Sequence, residues 1–248
     1  MDFTAARHIP FIGDLLALPF RLIPETAQVR IIQGPLRGKK WIAGSGMHGW
    51  WLGSYEHEKQ LRVKAAVRPG HVFYDLGANV GFYTILGAVL TGASGRVYSF
   101  EPVESNLLFL RRHLKLNRVD NCTVLQVAVS SSDGYADFQV GPNPQVGHLA
   151  PGGANALTVR TVAIDTLVAK GEISPPNVIK CDIEGGEYEA LIGARQTLER
   201  FHPTIFLATH GSEIHEACCR ELLNLKYRLM PMDHSSLGKA RELIATAP

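Results

Sequence analysis

Between residues 71 and 101 the chain reads HVFYD, LGANVG, FYTILGAVL and RVYSFE: an apolar run, a glycine turn, an apolar helical segment and a second apolar run closed by an acid. Near-continuous apolar strands are buried on both faces, and successive parallel strands need a helical crossover, so this unit predicts a β-α-β element of a parallel sheet. The alternation continues. VESNLLFLRRHLKLN places Val103, Leu107, Leu110 and Leu114 on one helix face, and CTVLQVAVS reads as a third strand. GYADFQV and ALTVRTVAI are extended segments joined by a Gly/Pro/Asn loop over 141–156, and NVIKCDI is a further buried strand. GEYEALIGARQTLER reads as one helix with Tyr188, Leu191, Ile192, Arg195 and Leu198 on one side, before a final strand, helix and strand in PTIFLATH, EIHEACCRELLNL and YRLMPM. Strands alternating with helices predict a Rossmann-like α/β fold with helices on both faces of the sheet.

Upstream, AQVRIIQG and KKWIA flank the turn GPLRGK and read as a β-hairpin over 27–43; GSGMHGWWLGSYE and a short helix follow, ending at Arg68, Pro69 and Gly70. The expected organisation is therefore a cap over 1–69 and a catalytic domain over 70–248. The apolar stretch within the first 24 residues is interrupted by Pro10, Asp14, Pro19 and Arg21. It is too short for a membrane span and lacks the flanks of a signal peptide. It reads as a docked amphipathic helix, with peripheral membrane contact as the lesser alternative. A formal charge of +2 excludes the basic footprint of a nucleic-acid binder. Four cysteines without a C-x-x-C pair fit a reducing, cytoplasmic setting.

The turn DLGANVG sits where a strand runs into a helix. Gly77 and Gly81 allow close backbone approach, Asn79 tolerates the left-handed region, and Glu101, twenty residues beyond Gly81, can accept hydrogen bonds from ribose hydroxyls before Pro102 closes the strand. The dinucleotide fingerprint fails because its middle glycine is Asn79, and no Walker motif is present. S-adenosyl-L-methionine, which needs no phosphate cradle, suits the arrangement.

WWLGSYEHEK, YDLGANVGFYT, FEPVESNLLFLRRHLKLN and KCDIEGGEYEALIGA, in this order across residues 50–211, resemble the motifs of the FkbM methyltransferases. The resemblance implies a class I methyltransferase fold, a seven-stranded sheet with an antiparallel hairpin at its end, and methyl transfer to oxygen. It also implies cofactor roles for Asp75, Gly77, Ala78, Asn79, Gly81 and Glu101, with Phe82 and Tyr83 nearby, Ala128 near adenine, and Tyr55 and Glu56 closing over the cofactor. The chain departs from many relatives at Ala208, where they carry an acid two positions before the histidine.

A sulfonium methyl is already electrophilic, so the protein must align a hydroxyl and help remove its proton. Candidates gather at carboxyl ends of strands: Asp182 and Glu184 in KCDIEGGE, and His210 in FLATHG. Asp182 is the foremost of the three and also a cofactor neighbour. Each has a plainer role available, the two acids at a helix N-terminus and His210 as a core histidine, with Glu187 better suited to the helix end. A divalent metal on Asp182, His210 and His215 is an alternative to a direct base. The expected reaction is O-methylation of a sugar, glycolipid or secondary-metabolite hydroxyl. A nucleic-acid or protein methyltransferase, or a non-catalytic cofactor-binding protein, is the alternative. The acceptor, the identity of the base and the oligomeric state, a homo-oligomer among the options, are not written in the sequence.

Overall fold

The computed structural model describes residues 23–140, 147–149, 156–233 and 235–247. The apolar stretch read as a docked helix, and most of the 141–156 loop, lie outside these residues.

The chain begins with the hairpin, strands β1 (Gln28–Arg30) and β2 (Lys40–Ile42) paired antiparallel, followed by helices α1 (His48–Leu52) and α2 (His57–Ala66). The main sheet then takes β3 (Val72–Leu76), β4 (Arg96–Phe100) and β5 (Cys122–Leu125), connected by α3 (Phe82–Thr91) and α4 (Glu104–Asn117). After a second, smaller sheet built from β6 (Ala128–Val129), β7 (Gly134–Val140), β8 (Gly147–Leu149) and β9 (Ala156–Val162) come α5 (Ile164–Ala169) and β10 (Val178–Cys181). Helices α6 (Glu187–Gly193) and α7 (Arg195–Phe201) lead to β11 (Thr204–Ala208), then α8 (Ser212–Asn224), β12 (Arg228–Pro231) and β13 (Glu242–Thr246). Seven strands form the main sheet in the order β12-β13-β11-β10-β3-β4-β5. The five from β11 to β5 are parallel, and β13 is antiparallel to both neighbours.

Alternate residues of the central strands feed two cores. Tyr74, Tyr98, Ile179 and Leu207 pack with Ile164, Leu191, Leu198 and Leu222 on one face. Phe73, Val97, Val178 and Phe206 pack with Ile85, Leu86 and Leu110 on the other. Trp41, Trp50, Trp51 and Val63 belong to that second core, so the hairpin and helices of 23–69 are built onto the sheet face. We propose that this segment works as a cap over the cofactor end.

Three expectations are refined. CTVLQVAVS is two strands, because the β4 ladder ends where the Glu101 amide donates to the Leu125 carbonyl and β6 then pairs with β9. GEYEALIGARQTLER is two helices, broken at Ala194. A Cβ on Gly193 would lie 2.0 Å from the Ser130 carbonyl, so only glycine lets α6 approach that loop. The break resets the helical phase and leaves Arg195 in solvent, while Leu191 and Leu198 stay buried. Finally, β13 inserts antiparallel between β11 and β12; the resemblance implied an antiparallel hairpin there, but Glu242–Thr246 was not read as its strand.

His113 ties the hairpin to the sheet. Its ring stacks on Trp41 with centroids 3.8 Å apart, Nδ1 donates to the Val80 carbonyl at 2.8 Å, and Nε2 accepts the Ile42 amide at 3.1 Å. A second proton at Nε2 would break the last bond, and burial lowers the imidazole pKa to about 4. The unfolded chain, with an ordinary value near 6.5, therefore binds the proton first, and stability is lost as pH falls from 6.5 toward 4. Urea unfolding should show this residue contributing a loss of about 1.5 kcal/mol between roughly pH 6.5 and 5. His113→Gln should remove that part of the pH dependence; an unchanged slope would refute the assignment.

Candidate active site

At the carboxyl ends of the central strands lies a cavity of about 230 Å³. Its floor is the glycine turn. The amides of Gly77 and Ala78 both donate to the Phe100 carbonyl, at 3.0 and 2.9 Å, and Gly77, Asn79 and Gly81 all have positive φ. A Cβ on Gly77 would lie 2.0 Å from the Asp182 carbonyl, so the turn and the end of β10 touch through backbone alone. Glu101 is buried: Oε2 accepts the Asn79 amide at 2.8 Å, while Oε1 accepts the Val103 amide and the Asn106 side chain. Burial pushes its carboxyl up, and these hydrogen bonds work in the other direction. With two acceptor positions per oxygen, Oε2 keeps one for a ligand.

Gly77, Ala78, Asn79, Phe82, Tyr83, Glu101, Pro102, Ala128, Asp182, Glu184 and Tyr55 line the cavity. Tyr55 sits edge-on to Trp50 and Phe82. Gly81 and Asp75 lie outside the lining; Asp75 is fully buried and accepts from Thr84 Oγ1 at 2.6 Å. Glu56 also stands behind the wall, where its Oε2 accepts the Tyr83 hydroxyl at 2.7 Å and pairs with buried Lys59, which reaches Glu242 of β13 as well. The apolar end is completed by Val103, Val127 and Phe138, the last from the small sheet. Phe138, Asn106, Trp50 and Met47 were not singled out in the sequence; Trp50 carried a signal through its WWLGSYE motif, whereas Phe138 comes from a strand remote in sequence.

Lys180 points from β10 toward the glycine turn. Its ammonium donates to the Gly77 carbonyl at 2.9 Å and the Leu76 carbonyl at 3.4 Å, and stands 3.5 Å from Asp75 and 4.0 Å from Asp182. Burial alone would lower its pKa, but the two carboxylates outweigh that and hold it up, so it remains charged. Burial works to raise the Asp182 carboxyl, yet Lys180, Lys59 and His210 prevail and keep it low, an ionised carboxylate at the cavity wall.

Asp182, Glu184 and His210 come together. His210 Nε2 is 3.8 Å from Asp182 Oδ1 and 3.4 Å from Glu184 Oε2. Strand alternation does not cause this: β10 ends at Cys181, and Glu184, with φ 56°, is swung toward His210 by the turn that follows. Glu187 stands at the helix end, as expected, at the first position of α6, and is fully buried there; its Oε1 accepts His210 Nδ1–H at 2.9 Å and the amides of Ile183 and Gly185. That hydrogen bond, aided by the surrounding carboxylates against the opposing effect of burial, raises the His210 pKa. The metal set expected with His215 is corrected. His215 is buried below β11, Nδ1 accepts from Thr209 Oγ1 at 3.0 Å and Nε2 donates to the Leu237 carbonyl at 2.7 Å, which leaves no lone pair for a metal.

Residues 75–229 match the family profile of the Methyltransferase FkbM domain. The chain belongs to the FkbM methyltransferase family. The match takes in both the glycine turn and the Asp182–His210 cluster. Among curated relatives, the hexuronic acid methyltransferase AglP of Haloferax volcanii is 31% identical over 129 residues, 52% of each chain. The FkbM methyltransferase structure from Methylobacillus flagellatus KT superposes with a TM-score of 0.52 at 19% identity, covering 80% of this chain and 53% of that one. This chain thus spans about half the length of either relative. The fold is that of the class I methyltransferases, an α/β sheet of seven strands closed by an antiparallel pair.

Proposed function

We propose that this FkbM-family methyltransferase transfers a methyl group from S-adenosyl-L-methionine to a hydroxyl of a small-molecule acceptor, with a sugar as the first class to test. The observation that carries the reading is the single cavity joining the glycine turn and Glu101 at one end to Asp182 and Glu184 at the other. The residues fit the cofactor. Gly77 permits close approach, Glu101 Oε2 keeps an acceptor position for a ribose hydroxyl, and Val103, Ala128 and Phe138 offer an apolar surface for adenine. A phosphate is poorly served, because Lys180, the cation on the wall, is already matched by Asp75 and Asp182. Bound there, the cofactor supplies a methyl group on a sulfonium that departs as a neutral thioether.

This chain's own part is to hold the acceptor hydroxyl at the acidic end. Asp182 and Glu184 accept from it and orient its lone pair, and the proton leaves toward Asp182, Glu184 and His210 as the O–C bond forms and the C–S bond breaks. A sugar acceptor is supported by the relative named as a hexuronic acid methyltransferase. The formal charge of +2 argues against a nucleic-acid substrate. No helix among the described residues is long and apolar enough to cross a membrane, and the four unbridged cysteines suit a cytoplasmic setting.

Thermal shift tests the cofactor first. S-adenosylhomocysteine at about 100 times its Kd should stabilise the fold by about 2.7 kcal/mol, and NAD at the same concentration should leave it unchanged. A response to NAD alone overturns the reading. Mass gain of one methyl group across uronosides, neutral glycosides and non-sugar alcohols then identifies the acceptor.

A further inference from the structure

We propose that Asp182, Glu184 and His210 bind a divalent transition-metal cation, with Glu187 fixing the imidazole from behind. One donor atom from each of the three ligands falls within a group no wider than 4.8 Å. Donors at right angles around a cation with bonds of about 2.1 Å stand about 3 Å apart. The observed 3.4 and 3.8 Å from Nε2 are therefore somewhat open, and Glu184 and His210, each about one third exposed, have room to close them.

Two further features set this group apart from a chance collection of acids. Glu187 Oε1 takes the Nδ1–H of His210, which leaves the Nε2 lone pair facing the two carboxylates, the carboxylate–histidine arrangement that orients metal ligands. The same oxygen accepts the amides of Ile183 and Gly185, so the loop carrying both acidic ligands is anchored by the residue that aims the imidazole. Glu187 is also fully buried, and its second oxygen, Oε2, has no hydrogen-bond partner among the described residues. Negative charge is in excess. Lys180, already shared with Asp75, approaches Asp182 at Oδ2 and leaves Oδ1 to the cluster.

Two carboxylate oxygens and one imidazole nitrogen suit Mn²⁺, Fe²⁺ or Zn²⁺ better than Ca²⁺ or Mg²⁺, which favour oxygen alone. Asp182 and Glu184 line the cavity, so the remaining positions of a cation face the acceptor. An acceptor hydroxyl coordinated there would lose its proton to solvent more readily. The purpose of the site rests on the function proposed above, but its test does not.

The full chain, stripped with chelator, is titrated with Mn²⁺ and followed by calorimetry and pulsed electron paramagnetic resonance. One cation should bind, with a nitrogen coupling from a single imidazole. His210→Ala should abolish that coupling, Asp182→Asn should weaken binding strongly, and Glu187→Gln should weaken it about tenfold. Absence of binding at ~1 mM Mn²⁺, or binding without nitrogen coupling, overturns the site on wild-type protein alone, whatever the variants do. S-adenosylhomocysteine binding on the same samples separates the two proposals: cofactor without metal defeats only this inference, and metal without cofactor defeats only the methyltransferase reading.

Discussion

Lys180→Met should lower the unfolding free energy by about 3–5 kcal/mol, the scale seen when one member of a buried ion pair is removed. Methionine fills similar space, but Asp75, fully buried, then keeps only the Thr84 hydroxyl, and the Gly77 carbonyl loses the ammonium, while that of Leu76 keeps the Asp182 amide. Burial already pushes the Asp75 carboxyl up against the pull of Lys180, so the variant should protonate it at neutral pH. That protonation limits the loss, and it predicts the rescue. Asp75→Asn combined with Lys180→Met removes the stranded charge and should recover most of the stability. Urea denaturation of the two single variants and the double variant gives the coupling. A loss below about 1 kcal/mol in Lys180→Met would show that solvent reaches Asp75 and that the ion pair is not what holds the turn. The same variant should bind S-adenosylhomocysteine poorly, since the carbonyl released is that of Gly77 on the cavity floor.

Asp182→Asn should leave S-adenosylhomocysteine affinity nearly intact and lower turnover by roughly 10²-fold or more, the loss that follows removal of proton-transfer or metal-ligand help. The amide is close in shape, and the main chain at 182, which packs on Gly77 and donates its N–H to the Leu76 carbonyl at 3.2 Å, is unaffected. What changes is charge: an ionised carboxylate held low by Lys180, Lys59 and His210 becomes a neutral amide facing the acceptor. Steady-state kinetics with the acceptor from the mass-gain screen should show the loss in kcat rather than in cofactor KM. Turnover equal to wild type would reduce Asp182 to a structural partner of Lys180. Chelator treatment divides the remaining explanations, since activity that collapses and returns with Mn²⁺ requires the cation, and activity that persists assigns the proton to the side chains themselves.

The sequence by itself determined the parts set by neighbours along the chain. The alternation of apolar runs and helix faces prescribed the β-α-β order from β3 onward, and Leu107, Leu110 and Leu114 are buried on one face of α4 as their spacing requires, while Val103, extended just before the helix, is buried instead with Ala128 and Phe138. The positive φ of Gly77, Asn79 and Gly81 was legible in the residue types, because the left-handed region selects glycine and asparagine locally. Asp182, Glu184 and His210 were legible as strand-end candidates. Their meeting was not, since a turn with Glu184 in a left-handed conformation, and no strand alternation, aims them at one another. Only the tertiary structure turned His215 away from the cluster toward Thr209 and Leu237, set Glu187, at its helix end, behind His210, and brought Phe138 from the small sheet to the cavity. It also placed β13 between β11 and β12, where Glu242 reaches Lys59. These features share one physical cause: each depends on which backbone lies beside which after strands far apart in sequence have paired, and local propensity carries no record of that.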